Sequence, residues 1–104
     1  MVQKTTKCYH LIKIVKSTRS DKKLMAIFEE CHSGRTKTVH FGAAGMEDYT
    51  THKDPERKQR YINRHSKNEN WNDPTTAGAL SRFLLWNKPT LKASIADYKK
   101  RFGF

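Results

Sequence analysis

Residues 35–56 read RTKTVHFGAAGMEDYTTHKDPE, and within them the hydrophobic pattern changes from a period of two to a helical period. Residues 35–41 alternate and predict a strand, which Gly42 and Gly45 bring to an end. The triplet Asp-Pro-Glu at residues 54–56 then predicts a helix start, with an N-cap, a proline at the first helical position and an acid in the first turn. The chain before this stretch predicts strands, and the chain after it predicts helices.

Two further strands are predicted upstream, in residues 7–16 and 23–31, which alternate and are joined by short turns. We expect one face of the first strand to carry Tyr9, Leu11 and Val15, and the other to carry Cys8, Ile12 and Ile14. In the second strand, Leu24, Ala26 and Phe28 alternate with Met25 and Ile27. Because the connections are short, residues 7–41 predict an antiparallel three-stranded sheet. Residues 1–6 are polar and are expected to be disordered.

Three helices are predicted in residues 54–103. The first runs to about residue 65, and the second begins near Thr75 or Thr76 and ends before Pro89. Thr90 caps the third helix, and Gly103 ends it. The apolar stripe of this helix consists of Leu91, Ile95, Tyr98 and Phe102. The fold class is therefore α+β in a single domain, residues 1–104, with the helices packed on one face of the sheet.

The net charge of +11 indicates a polyanionic partner, with nucleic acid ahead of anionic lipid and of an acidic protein. Residues 53–104 carry twelve basic and five acidic residues and combine this charge with helical signals. No apolar run approaches the roughly 20 residues that span a bilayer, and no signal peptide is visible. We therefore expect a soluble protein in a reducing compartment, without a membrane partner.

The first helix is the candidate binding element, because residues 53–67 hold six basic residues against two acids. Like charges at helical spacing repel one another, and phosphate neutralisation would offset that repulsion. The candidate phosphate contacts there are Lys53, Arg57, Lys58, Arg60, Arg64 and Lys67. Residues that extend the patch are Arg82, Lys88, Lys99, Lys100 and Arg101. An ordinary solvated helix face, or one that meets an acidic protein, is the alternative interpretation.

Two tryptophans and a glycine segment are weaker signals. Trp71 lies in a polar loop, where it could stack a nucleic-acid base, although pinning the loop to the core is the favoured interpretation. Trp86 ends an apolar helical run and is expected in the core. The glycines of residues 41–45 match no phosphate-binding motif and indicate a turn leaving the sheet.

The sequence predicts no catalytic residues, no metal site and no cofactor. Residues of a metal-dependent nuclease, the low-ranked alternative, would be His40, Asp48, His52, Asp54 and His65. They have no recognised ligand spacing. Cys8 and Cys31 lie in strand-like runs and are expected to be small buried hydrophobes, unless their strands are neighbours and a disulfide forms.

Six short motifs between His40 and Gly103 resemble the sequences of a small uncharacterised protein family of large nucleocytoplasmic DNA viruses, such as marseilleviruses, chloroviruses and mimiviruses. In this sequence they read HFGA (40–43), HKDPER (52–57), YINRH (61–65), NWNDP (70–74), TAG (76–78) and LWNKPT (85–90). The resemblance implies a viral protein in the virion or in the infected host cell. It implies no activity and no catalytic residues.

The sequence thus predicts a basic viral protein that binds DNA or RNA non-specifically through phosphate contacts. The alternative is a virion structural or protein-interaction component, as a monomer or a homodimer, that does not contact nucleic acid directly.

Overall fold

The computed structural model describes residues 8–104 and confirms the predicted α+β fold. Three strands, β1 (Tyr9–Lys16), β2 (Lys22–Glu30) and β3 (Thr36–Ala43), form one antiparallel sheet in chain order. The expectation of disorder in residues 1–6 lies outside the described residues.

A β-bulge in β1 changes which side chains face the core. Leu11 pairs with Phe28, but Lys13 pairs with Ile27, so Ile12 is an extra residue in the ladder. The alternation reverses at this point, and Ile14 packs against the core together with Leu11. The prediction that Val15 shares a face with Tyr9 and Leu11 was therefore wrong, because strict alternation does not allow for the inserted residue.

The helical part begins earlier than predicted, with the one-turn helix α1 (Tyr49–His52). Asp48 caps α1, accepting the Thr50 backbone N–H at 2.9 Å, while its own N–H donates to Thr51 Oγ1 at 2.9 Å. Lys53 ends it in the left-handed conformation, with φ of 56°. The caps of α1 are the polar residues Asp48 and Lys53, so the spacing of apolar residues alone did not predict this helix.

The three predicted helices are all present. They are α2 (Pro55–His65), α3 (Ala77–Leu80), which continues directly as a π-helical segment (Ser81–Leu85), and α4 (Leu91–Phe102). Asp54, Thr76 and Thr90 each cap the following helix with a side-chain oxygen. Gly103 ends α4 with φ of 76°. None of the helices in residues 8–104 is both long and apolar enough to cross a membrane.

The core lies between one face of the sheet and the helices. The sheet contributes Ala26, Phe28 and Phe41, all almost inaccessible to solvent. The helical side contributes Ala79, Leu80, Phe83, Leu84, Leu85 and Tyr98. Three consecutive buried residues at 83–85 show that the π-helical segment is enclosed on several sides, by the sheet and by its helical neighbours.

The interpretation of Cys8 and Cys31 as small buried hydrophobes was wrong. Cys8 is exposed and Cys31 is half-buried, and the two form a disulfide at the open end of the β1–β2 hairpin. The neighbouring-strand condition for pairing is met, because the Cys31 backbone N–H donates to the Cys8 carbonyl oxygen at 2.9 Å. Reading each strand alone could not reveal this register.

Candidate nucleic-acid interface

Helix α2 is held in place through its apolar side. Tyr61 is its one buried residue, and its ring stacks on Trp86, with 4.4 Å between the ring centroids. Asp54 accepts the Glu56 backbone N–H at 3.0 Å and fixes the start of the helix. The remaining faces of α2 are exposed or half-buried and carry the basic residues.

Three predicted contacts on α2 and the turn after it are exposed cations: Arg60, Arg64 and Lys67. At about 100° per residue, Arg60 and Arg64 lie roughly 40° apart around the axis of α2, and Lys67 lies in the turn just after the helix ends at His65. Within residues 8–104, none of the three side chains has a hydrogen-bond or ion-pair partner. They are therefore available to an external anion.

Two other predicted contacts near this surface are engaged within the chain. Arg57 forms an ion pair with Glu47 at 2.8 Å, and this bond holds the pKa of the Glu47 carboxyl below its usual value. Lys53 donates to the Thr50 carbonyl oxygen at 2.7 Å. Both remain partly solvent-accessible, and their partners lie at the surface.

Lys58 lies on a different side of α2, against the turn that follows the π-helical segment. Its ammonium donates to the Asn87 carbonyl oxygen at 2.6 Å and lies 4.9 Å from the centre of the Tyr49 ring. Burial lowers the pKa of Lys58, and the charges of Arg82 and Lys88 lower it further. The predicted patch is thus divided between two sides of α2.

Arg82 has an internal role that the sequence did not reveal. Its guanidinium donates to the Trp86 carbonyl oxygen at 2.9 Å and lies 5.5 Å from the centre of the Trp71 ring. Burial lowers the pKa of Arg82, with a smaller contribution from Arg101. Arg82 therefore joins Trp71 to the core and has little surface left for a phosphate.

The remaining predicted contacts lie around α4. Lys88, Lys99 and Lys100 are exposed. Arg101 donates to Asp97 at 3.3 Å and covers the Phe83 ring at 4.8 Å. Of these residues, Lys88 lies close enough to Lys58 for its charge to lower the pKa of Lys58.

Trp71 packs against the core, as the favoured interpretation predicted. Its indole nitrogen is buried and has no partner among the described residues. Because Arg82 lies over its ring, Trp71 offers no free face on that side for stacking a base. The glycine segment also matches its prediction: after β3 the chain turns, and the Met46 N–H donates to the Ala43 carbonyl oxygen at 3.3 Å.

A groove of about 410 Å³ separates α2 from the end of the sheet. Its apolar lining includes Phe41, Tyr61, Leu85 and Trp86. Its polar lining includes Lys22, Lys23, Glu47, Asp48, Arg64, His65 and Glu69. Arg64 therefore belongs both to the exposed cations of α2 and to one wall of this groove, with Lys22 on another.

The residues of the nuclease alternative are dispersed. His40 Nδ1 lies 2.7 Å from Ser17 Oγ, whereas His52 Nδ1 accepts the Asp54 backbone N–H at 2.9 Å. His65 Nδ1 pairs with Glu69 at 2.8 Å. In residues 8–104, no three of the predicted nuclease residues form a metal-ligand cluster.

Comparison with known proteins identifies the family. No curated protein and no solved structure matches the chain. A family model matches residues 12–65, about half of the chain, from β1 to the last residue of α2. The matched region includes most of the sheet, all of α2, and Arg60 and Arg64, whereas Lys67 lies just beyond it. The chain belongs to the family of unknown function DUF5754.

Proposed function

We propose that this protein binds nucleic acid through phosphate contacts made by Arg60, Arg64 and Lys67. The observation that carries the proposal is that these three cations, two on one side of α2 and one in the turn after it, are exposed without a partner in residues 8–104. Arginine pairs with phosphate in a bidentate geometry, and lysine adds a mobile point charge. Lys22, on the facing wall of the groove, extends the surface.

The distribution of carboxylates supports this proposal. Eight of the ten acidic side chains already accept hydrogen bonds or ion pairs within the chain. None of the ion pairs in residues 8–104 involves Arg60, Arg64 or Lys67, so the positive charge of these side chains is left to attract an external polyanion. No motif for reading bases is present, so the binding is non-specific in sequence.

The salt dependence of affinity tests the proposal quantitatively. Each neutralised phosphate of duplex DNA changes the slope of log K against log salt concentration by about −0.9, so three contacts predict a slope of about −3. We expect this slope in fluorescence anisotropy titrations of labelled duplex DNA. Parallel titrations with single-stranded DNA and RNA of the same length show which kind of nucleic acid the protein prefers.

A matched pair of triple variants separates the proposed surface from net charge. The substitutions Arg60→Glu, Arg64→Glu and Lys67→Glu should abolish retention at physiological salt. The control is Lys13→Glu, Lys16→Glu and Arg35→Glu, which changes the charge equally at exposed residues of the sheet and its turns. We expect the control to retain most of the affinity. Equal losses of affinity in both variants would show that binding depends on net charge and not on the proposed surface.

The outer face of the sheet favours the alternative, a structural or interaction role through self-association. This face carries Ile12, Val15, Met25 and Ile27, and Ile12 is 49% exposed. A second copy would remove this apolar area from water. Light scattering should then show a dimer that Ile12→Glu dissociates. A protein that stays monomeric at high concentration would count against this alternative.

An acidic protein that binds α2 is a further alternative, and nucleic acid should displace it because both would use the same cations.

The cellular setting follows from the resemblance to proteins of large DNA viruses. We propose that the protein acts in the virion or in the infected host cell, where a packaged or replicating genome offers phosphate groups. Its role there is binding, without catalysis. Immunodetection in purified particles and in infected cells would distinguish the two locations.

A further inference from the structure

Three metal-ligating side chains meet at the open end of the β1–β2 hairpin. The ligand atoms of Cys8, His10 and Cys31 all lie within 4.8 Å of one another. Cys8 and His10 are two residues apart and share the face of the sheet opposite the helices. Cys31 joins them from the end of β2. No sequence motif marks this group, because Cys8 and Cys31 are 23 residues apart in the sequence.

The backbone holds this group together independently of the disulfide. Tyr9 pairs with Glu30 and His10 with Glu29, and the Cys31 N–H donates to the Cys8 carbonyl oxygen at 2.9 Å. The ladder continues along the whole of β1 and β2. Reduction would therefore leave two thiols and an imidazole in the same place, and only side-chain torsions need to change.

Two thiolates and an imidazole are ligands that zinc prefers. In a tetrahedral site, Zn–S bonds of about 2.3 Å place two sulfur atoms roughly 3.8 Å apart. The Cα atoms of Cys8 and Cys31 are 5.3 Å apart, so rotation of the side chains can open the sulfurs to this separation. The exposure of Cys8 and His10 gives the ion access and leaves a fourth position for water.

We propose that Cys8, Cys31 and His10 form a redox-gated zinc site. A cellular thiol reductant transfers two electrons to the disulfide, so that two RSH molecules give RSSR and the two cysteine thiols. The thiols then bind Zn²⁺ through sulfur and release two protons, while His10 donates a ring nitrogen lone pair. In the reverse direction a small-molecule disulfide, RSSR, takes up the two electrons and two protons to give two RSH, which restores the protein disulfide and releases Zn²⁺.

Cobalt substitution tests this proposal on the full chain, produced without an affinity tag. We expect the protein reduced with a phosphine to bind one Co²⁺, with thiolate-to-cobalt charge-transfer absorption, and Zn²⁺ to displace it. The oxidised protein should show no such absorption. Far-ultraviolet circular dichroism of each sample shows whether the reduced chain remains folded. A reduced chain that binds no cobalt, folded or not, overturns the proposal.

Two histidine variants identify the nitrogen ligand. Loss of a direct ligand should weaken Zn²⁺ binding at least as much as loss of a ligand's hydrogen-bond partner, which costs roughly 10- to 100-fold. We expect this loss in His10→Ala. The matched control is His32→Ala, which removes an exposed histidine next to Cys31 and outside the group. Equal affinities for the two variants would exclude His10 as a ligand.

Discussion

The indole of Trp86 lies flat on the ring of Tyr61, with 2° between the two ring planes. His52 lies 5.3 Å from Trp86, and His65 lies 4.3 Å from Tyr61, between ring centroids. This column of rings joins α1, α2 and the turn after the π-helical segment. The helix that carries the proposed binding surface is therefore fixed by aromatic packing on its inner side, which leaves Arg60 and Arg64 on its outer side unengaged.

Tyr61 should make stability decline at alkaline pH. Burial raises the pKa of Tyr61 to about 12, and the charge of Glu69 acts in the same direction. An unfolded tyrosine ionises near about pH 10, so the unfolded state loses its proton first. The stability contributed by neutral Tyr61 is complete below about pH 10 and is lost as the pH rises towards its folded pKa. The loss is on the order of 2–3 kcal/mol.

Urea unfolding at a series of alkaline pH values measures this loss. Tyr61→Phe keeps the stacked ring and removes the ionising group, so we expect its free energy of unfolding to fall less steeply than that of the native protein. Tyr98, whose pKa burial also raises, is present in both proteins and cancels in the difference. Parallel declines would show that Tyr61 does not contribute.

Gly42 should tolerate a methyl group less well than Gly45. Both glycines have positive φ, at 81° and 83°, so alanine pays a backbone cost of about 1–2 kcal/mol at either position. A Cβ atom at Gly42 would also lie 2.6 Å from Leu85 Cδ1, in the core, whereas nothing lies within 4 Å at Gly45. We expect Gly42→Ala to destabilise the protein by at least about 1 kcal/mol more than Gly45→Ala. Thermal unfolding of the two variants gives the difference directly, and equal melting temperatures would contradict it.

The buried carboxylate of Asp48 should matter far more than an exposed one. Asp48 is 3% exposed and accepts hydrogen bonds from Lys23 and Thr50, whereas Asp21 is 59% exposed in its pair with Arg19. Replacing one partner of a buried pair costs about 3–5 kcal/mol, and replacing a surface partner costs less than about 1 kcal/mol. Chemical denaturation of Asp48→Ala and Asp21→Ala should show this contrast. Similar losses would mean that solvent reaches Asp48 as it reaches Asp21.

The sequence was sufficient to predict elements whose signals are local. The caps at Asp54 and Thr90 and the apolar stripe of α4 depend on neighbouring residues, and the structure places them as predicted. The bulge at Ile12 and the pairing of Cys8 with Cys31 depend on the register between two strands. That register is a non-local property, which no reading of a single strand contains.

The candidate site shows the same division between local and non-local information. The helical spacing of Arg60 and Arg64 on one side of α2 could be inferred from the sequence. The partner of each cation could not be inferred from the sequence. Arg57 forms an ion pair with Glu47, and Arg82 donates a hydrogen bond to the Trp86 carbonyl oxygen. Charge counting treated all of these residues alike, although folding leaves only some of them free to bind an external anion.

Reduction of the disulfide should destabilise the protein measurably. The crosslink joins Cys8 to Cys31 across 23 residues and restricts the unfolded chain, which in the loop-entropy model contributes about 3 kcal/mol. We expect urea unfolding with reductant to show this loss, and Cys8→Ser with Cys31→Ser to show it without reductant. The double variant is its own control, because reductant should not affect it further. Zinc should restore part of the loss in the reduced native chain and none in the double variant, since an ion that binds only the folded state shifts the equilibrium towards it.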